Sequence, residues 1–246
     1  MTEPALEPRA HVRPWALLIA VAIMLAHVIA IQPWMVDDAF IFFRYAENWA
    51  GGHGVVYNIG ERVEGYTSFA WLALLAAGHR LGGDTVLLAQ VLGVAAAIAT
   101  LVLVARVYRR GLATPSAATY ATLFLGTCGT FTAWPASGME TALFALGLTL
   151  FVVLHAVAVQ RRETARHDDI RRGIVGAALA MTRPEGLVVV VLAILDLVRR
   201  RRTHTALWVA AAFAAIFVPY FAWRWAYYGW PLPNTFYAKA GTTPAT

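Results

Sequence analysis

DDAFIFFRYAENWAGGHGVVYNIGERVEGYTS, residues 37–68, stands directly after the first long apolar run of a chain that is apolar almost throughout. The stretch holds five of the fourteen acidic residues in about an eighth of the sequence, two of them side by side as Asp37 and Asp38. A polar insert between lipid-compatible segments reads as a large loop on a helix bundle, because a membrane-crossing chain must satisfy its backbone within helices and keep its charges outside them. Composition agrees. The chain is 59% hydrophobic and 14% charged, with a mean hydropathy of +0.59, whereas soluble domains carry about a quarter charged residues. The fold class is therefore an all-α polytopic membrane protein forming one membrane domain over residues 1–246, with no internal repeat and no low-complexity linker.

Outward from this loop, apolar segments fall at 15–34, 84–105, 115–134, 139–160, 173–182, 186–198 and 204–226, about seven spans. Most reach the roughly 20 residues that cross a hydrocarbon core. Four arginine clusters, at 9–13, 106–110, 161–172 and 199–202, hold fourteen of the twenty basic residues. They occupy every second connection, which by the positive-inside rule places the N-terminus (1–14) in the cytoplasm. The loop 35–83, the turns at 135–138 and 183–185 and the tail 227–246 then lie outside. The first segment could also be a signal peptide with Arg9 and Arg13 as its basic region, but its core is long and no small-x-small cleavage site follows. The net charge of +6 is spent on these connections and implies no nucleic-acid partner. Nineteen arginines against one lysine, with abundant alanine, suit a GC-rich bacterial genome. The one cysteine, Cys128, excludes an internal disulfide.

Two segments need separate treatment. Residues 173–198 look like one span, yet both flanks are arginine-rich, and Arg183, Pro184, Glu185 and Gly186 interrupt the run with two helix breakers. A hairpin of two short helices is expected, its ten-residue first arm covering only about 15 Å. A turn at such depth needs protein or a water-filled cavity around it. Residues 67–83 are apolar but short, and as a crossing they would invert every later loop. They are expected as an interfacial helix ended by Gly82 and Gly83, with Asp84 capping the next span.

The candidate chemistry lies on the outer side. Asp37 or Asp38 is expected to cap a helix that Gly51 and Gly52 end, with Arg44 and Glu47 three apart and able to pair. A cap and a dipole partner need only one acid. The second leaves open a general base or a divalent-cation ligand. In GERVEGYTS, Glu61, Arg62 and Glu64 with Tyr66 and Thr67 suit either sugar recognition or a solvated turn with a local salt bridge. SGMET at 137–141 has capping-box spacing, with Ser137 as cap and Glu140 reaching back, against a ligand role for Glu140. Arg183 and Glu185, ionisable groups in a break between intramembrane helices, suit a lipid-linked phosphate, whose oxygens match a guanidinium fork, or else an ion pair that closes the hairpin. Asp196 is expected to pair with Arg199 or Arg200, and Asp168 and Asp169 to belong to a charged inner loop. The histidines are scattered without metal-ligand spacing. Trp208, Trp223, Trp225, Tyr227, Tyr228 and Trp230 suit an interfacial belt. No nucleotide-binding motif is present.

DDAFIFFRYAENWAGGHGVVYN and GERVEGYTSF, then SGMETALF, TRPEG and YYGWPLPNTFYAKAG, resemble in that order the GT-C class of membrane glycosyltransferases. The nearest group includes the mycobacterial arabinofuranosyltransferases that finish cell-wall arabinan. The resemblance implies a helix bundle whose first outer loop carries interfacial helices and a catalytic carboxylate, here Asp37 or Asp38. It places Glu64, Tyr66 and Thr67 near the sugar, Arg183 near the donor phosphate, and residues 234–239, with Asn234, Tyr237 and Lys239, at the outer mouth. Implied partners are the bilayer, a polyprenyl-phosphate sugar donor (arabinofuranose among the candidates) and a cell-envelope glycan or glycolipid acceptor. The implied setting is the bacterial plasma membrane, with an extracytoplasmic active site. Members of the class continue well beyond NTFYAKAG, so a fragment, a truncated product or a minimal homologue is expected. Competing readings are a non-catalytic lipid-linked-sugar binder and, against the lack of repeats, a small transporter.

Overall fold

A computed structural model describes residues 14–31, 34–161 and 164–240, with side chains to Tyr237. The expected cytoplasmic segment therefore lies almost wholly outside the described residues, as does the side chain of Lys239. Every described element is a helix: α1 (Pro14–Ile31), α2 (Asp37–Ala50), α3 (Phe69–Arg80), α4 (Thr85–Arg106), α5 (Pro115–Thr127), α6 (Gly129–Ala133), α7 (Thr141–Gln160), α8 (Arg166–Thr182), α9 (Glu185–Arg199), α10 (Thr203–Tyr228) and α11 (Asn234–Ala240), with 3-10 turns at Val107–Arg110 and Trp134–Ala136. The protein is thus an all-helical membrane protein. Among the described residues four helices are long and apolar enough to cross a membrane: α1, α4 with its 3-10 extension, α7 and α10.

The three other expected spans fall short of that length. The segment 115–134 breaks at Cys128, whose backbone is extended (φ −71°, ψ 109°), into the 13-residue α5 and the five-residue α6. Proline at 135 then tightens the chain into a 3-10 turn. The hairpin is present, but α8 runs 17 residues and begins inside the arginine-rich connection. At 1.5 Å per residue it covers about 25 Å, more than its apolar part alone. Asp169 and Arg172, both buried, neutralise one another in its first turns. Asp169 is therefore part of a buried ion pair within α8, which corrects its assignment to a charged inner loop. α8 packs closely on α10, and a Cβ on Gly173 would stand 2.5 Å from the Val209 carbonyl oxygen. Such close backbone contact through small residues supplies dispersion where lipid offers no hydrophobic drive.

Outside the long helices, α2 and α3 form a packed pair. Apolar residues of α2 recur at Ala39, Phe42, Phe43 and Ala46, one helical face, and meet Trp71, Leu72, Leu75 and Ala76 of α3. Burying each of Phe42, Phe43, Leu72 and Leu75 contributes roughly 1.5–3 kcal/mol. Asp84 caps α4 as expected, its carboxylate accepting from the Leu87 N–H at 2.8 Å. Gly51 ends α2, and Gly52 takes φ +84° just beyond.

Candidate functional site

The opposite, polar face of α2 begins with Asp37 and Asp38, both exposed. Neither caps the helix. Val36 occupies the N-cap with no side-chain bond, its N–H held by the Ser137 carbonyl at 3.1 Å, and both acids lie in the first turn. There the helix dipole favours their charge without using their oxygens. The carboxylates make no hydrogen bond or ion pair among the described residues, so their oxygens are open to a ligand. Two acids are short of a closed metal centre, and no group of three His, Cys, Asp or Glu gathers as one among the described residues.

The segment that anchors α2 leads to the second half of the site. Gly138, at φ +85°, lets residues 137–139 lie against α2, since a Cβ there would stand 2.7 Å from that of Ala39. Its carbonyl accepts from the Trp71 indole at 3.1 Å. The expected capping box does not form. Ser137 donates to the Trp134 carbonyl at 2.7 Å and accepts from the Met139 N–H at 3.2 Å, while α7 starts at Thr141. Glu140 instead turns inward, 3% exposed, with one oxygen 3.5 Å from the Arg183 guanidinium. Its other oxygen has no hydrogen-bond partner among the described residues. The Ser68 hydroxyl lies beside the carboxyl, close enough to favour its charge but without full hydrogen-bond geometry. Burial pushes the Glu140 carboxyl above the usual range, and its own N–H, Arg183 and Ser68 only partly oppose this.

Arg183 ends α8 in extended backbone and lies between Glu140 and the exposed Glu185, each at 3.5 Å, with its guanidinium 5.8 Å from the Phe144 ring centroid. It is about a third exposed, and its N–H donors make no full hydrogen bond among the described residues. The acid pair and this guanidinium thus flank one short segment. Val36 binds residue 137, Arg183 binds residue 140, and three residues span at most about 11 Å. Beside α2, one turn beyond Asp37, an open groove of about 390 Å³ is lined by Ile41, Tyr45, Tyr57, Asn58, Glu61, Val63, Gly65 and Thr235.

Several expected ligand residues are structural. Glu64 is 4% exposed, and Arg224 Nε donates to both of its oxygens at 2.7 and 2.8 Å. This pair to α10 replaces the expected local salt bridge. Glu61 accepts from Asn58 at 3.0 Å, and Arg62 lies over the Tyr227 ring at 4.8 Å. Tyr66, 2% exposed, packs edge-on against Tyr45 and shares a 3.1 Å hydroxyl contact with Tyr228, so its ring faces are not offered to a sugar. Arg44 donates to the Tyr57 carbonyl at 3.4 Å rather than pairing with Glu47. Thr67 is exposed. The Asn234 N–H donates to the Glu64 carbonyl at 3.0 Å, and Tyr237 stacks edge-on with Trp230. Tyr228 belongs to the core rather than a belt, donating to the Val55 carbonyl at 2.7 Å. The scattered histidines also find partners, His27 with Thr132 and His155 with Asp196. Asp196 pairs with Arg200 at 2.7 Å, as expected. Arg224 was missed, although an ionisable residue in an apolar run signals a buried partner.

No family model matches the chain, and no solved structure matches it. It is 28% identical to the terminal beta-(1->2)-arabinofuranosyltransferase of Mycobacterium tuberculosis, over 92% of this chain and 38% of that protein. It is also 28% identical to the protein of the same name from Corynebacterium glutamicum, over 86% of this chain and 34% of that one. The chain is a distant relative of these arabinofuranosyltransferases and spans little more than a third of their length.

Proposed function

We propose that the chain carries the donor-facing part of a membrane glycosyltransferase that moves a sugar from a polyprenyl-phosphate donor to a cell-envelope glycan or glycolipid, with arabinofuranose as the sugar. The observation that carries this reading is the juxtaposition along residues 137–140 of an open carboxylate pair and a guanidinium with open donors. In this reading an acceptor hydroxyl attacks the anomeric carbon and gives its proton to Asp37 or Asp38. The bond from that carbon to the lipid phosphate breaks, and the phosphate leaves with the electron pair. Arg183 stabilises the leaving charge. Glu140 supports this role when it holds a proton, because Arg183 then has only Glu185 as counter-charge. The groove beside α2 suits an acceptor glycan, with the exposed Tyr57 ring and the Asn58 amide at its wall. The site faces the extracytoplasmic side, a placement supported by the alternation of arginine clusters. The names of the distant relatives support the sugar.

The test is transfer from a synthetic polyprenyl-phosphate arabinofuranose by Asp37→Asn and Asp38→Asn variants of the longest polypeptide that folds. One of the two should lose about 10²–10⁴-fold in rate, as removal of a general base does, with donor binding retained. Full transfer by both variants would remove the catalytic assignment. Donor binding with no transfer by the unaltered protein would favour the non-catalytic binder.

A further inference from the structure

The other end of the bundle holds a second cavity. The end of α4, its 3-10 extension, the last turns of α7 and the start of α8 line a half-open cavity of about 480 Å³. Along α7, Ala158 in this wall stands 18 residues from Glu140, roughly 27 Å away, so the cavity is separate from the proposed transfer site. Six arginines line it, Arg106, Arg109, Arg110, Arg161, Arg171 and Arg172. Among the described residues their counter-charges are Asp168, which meets Arg161 at 3.5 Å and Arg171 at 3.3 Å, and Asp169, which meets Arg172. Six cations against two carboxylates leave an excess of four positive charges. Arg172 is the telling member. It is 1% exposed, and after its bond to Asp169 its Nε and Nη1 have no partner among the described residues.

An orientation signal explains arginines near this membrane end, since it needs only charge. It does not explain a buried guanidinium with two unmatched donors at the wall of a cavity, which is costly unless something accepts from it. The remaining wall gives the ligand its second property. Leu150, Val153, Leu154 and Val157 recur at i, i+3, i+4 and i+7 on α7 and carry the cavity from the arginines toward the apolar interior. Guanidinium forks match phosphate oxygens, and an aliphatic wall matches an acyl chain. We propose that this cavity binds the phosphate head group of an anionic membrane lipid, with the chain of that lipid lying along α7.

The experiment is native mass spectrometry of the purified chain in neutral detergent, titrated with short-chain phosphatidic acid, phosphatidylcholine or inorganic phosphate. Phosphatidic acid should be retained and phosphatidylcholine lost. Arg106→Gln with Arg110→Gln, both exposed, should weaken retention about tenfold or more, as loss of charge-assisted contacts does. The same charge change outside the cavity, Arg199→Gln with Arg201→Gln, should change it less than about twofold. Asp168→Asn should tighten binding, a gain that no folding defect produces. Equal losses from the two arginine pairs, no preference for phosphatidic acid, or no gain from Asp168→Asn would overturn the site. Retention of inorganic phosphate without phosphatidic acid would overturn the lipid assignment.

Discussion

Leucine in place of Glu64 strands a guanidinium inside the protein. Arg224 gives its Nε hydrogen to both carboxylate oxygens, at 2.7 and 2.8 Å, and an Nη1 hydrogen to the Pro231 carbonyl at 2.9 Å. Both partners are 4% exposed, so water cannot replace what is removed. Charges about 4 Å apart at an effective dielectric constant of about 20 attract by about 4 kcal/mol. Removing one member of such a buried pair costs about 3–5 kcal/mol, most of it the burial of the uncompensated charge. Glu64→Leu and Arg224→Met should therefore each lower stability by that amount, a fall of about 6–20 °C in thermal midpoint for a chain of this size. The double variant, with both charges gone, should recover at least half of either loss. The assay is thermal unfolding in mild detergent followed by tryptophan fluorescence, with hydrogen exchange at the amides of Gly65 and Asn234. These report the loop even where it opens without global unfolding. Single losses below about 1 kcal/mol, or a double variant as unstable as the sum of the singles, would refute the coupling.

Three further outcomes are expected. Tyr66→Phe should cost about 1 kcal/mol through its contact with Tyr228 and leave the KM for donor unchanged; a rise in KM would restore Tyr66 as a sugar contact. Glu140 holds its proton more tightly folded than unfolded, so its stabilising share is complete below the unfolded pKa and is lost as pH rises through the folded value. A Glu140→Gln variant should flatten the stability–pH curve above the ordinary glutamate pKa, and an unaltered curve would count against the buried carboxyl. Gly138→Ala forces a side chain into left-handed backbone and against Ala39, and should cost about 2 kcal/mol or more while slowing transfer by displacing residues 137–140 from α2. A variant with wild-type midpoint and rate would show that the close contact is dispensable.

The helices, the Asp84 cap, the glycine end of α2 and the broken hairpin were legible because each depends on residues within a turn or two. The site was legible in part. Asp37, Asp38, Glu140, Arg183 and Glu185 stand out as charges at helix ends, yet which of them serve as caps depends on the Val36 bond to Ser137, about a hundred residues away in sequence. Glu64 looked like a turn residue because its partner, Arg224, lies in a distant apolar helix. Tyr66 looked like a sugar platform because periodicity cannot say which aromatic of a loop is drawn under it. Asp169 looked like a loop residue because α8 starts earlier than its apolar pattern does.

The clasp between residues 55–66 and 224–228 also sets an order of events during synthesis. Val55 waits for the hydroxyls of Tyr227 and Tyr228, and Glu64 for Arg224, partners made 160 or more positions later. At about 5–20 residues per second the ribosome needs roughly 8–32 s to supply them. Over that interval the loop after α1 stands unfastened, and the segment beside the acid pair is completed by α10, the last long helix among the described residues.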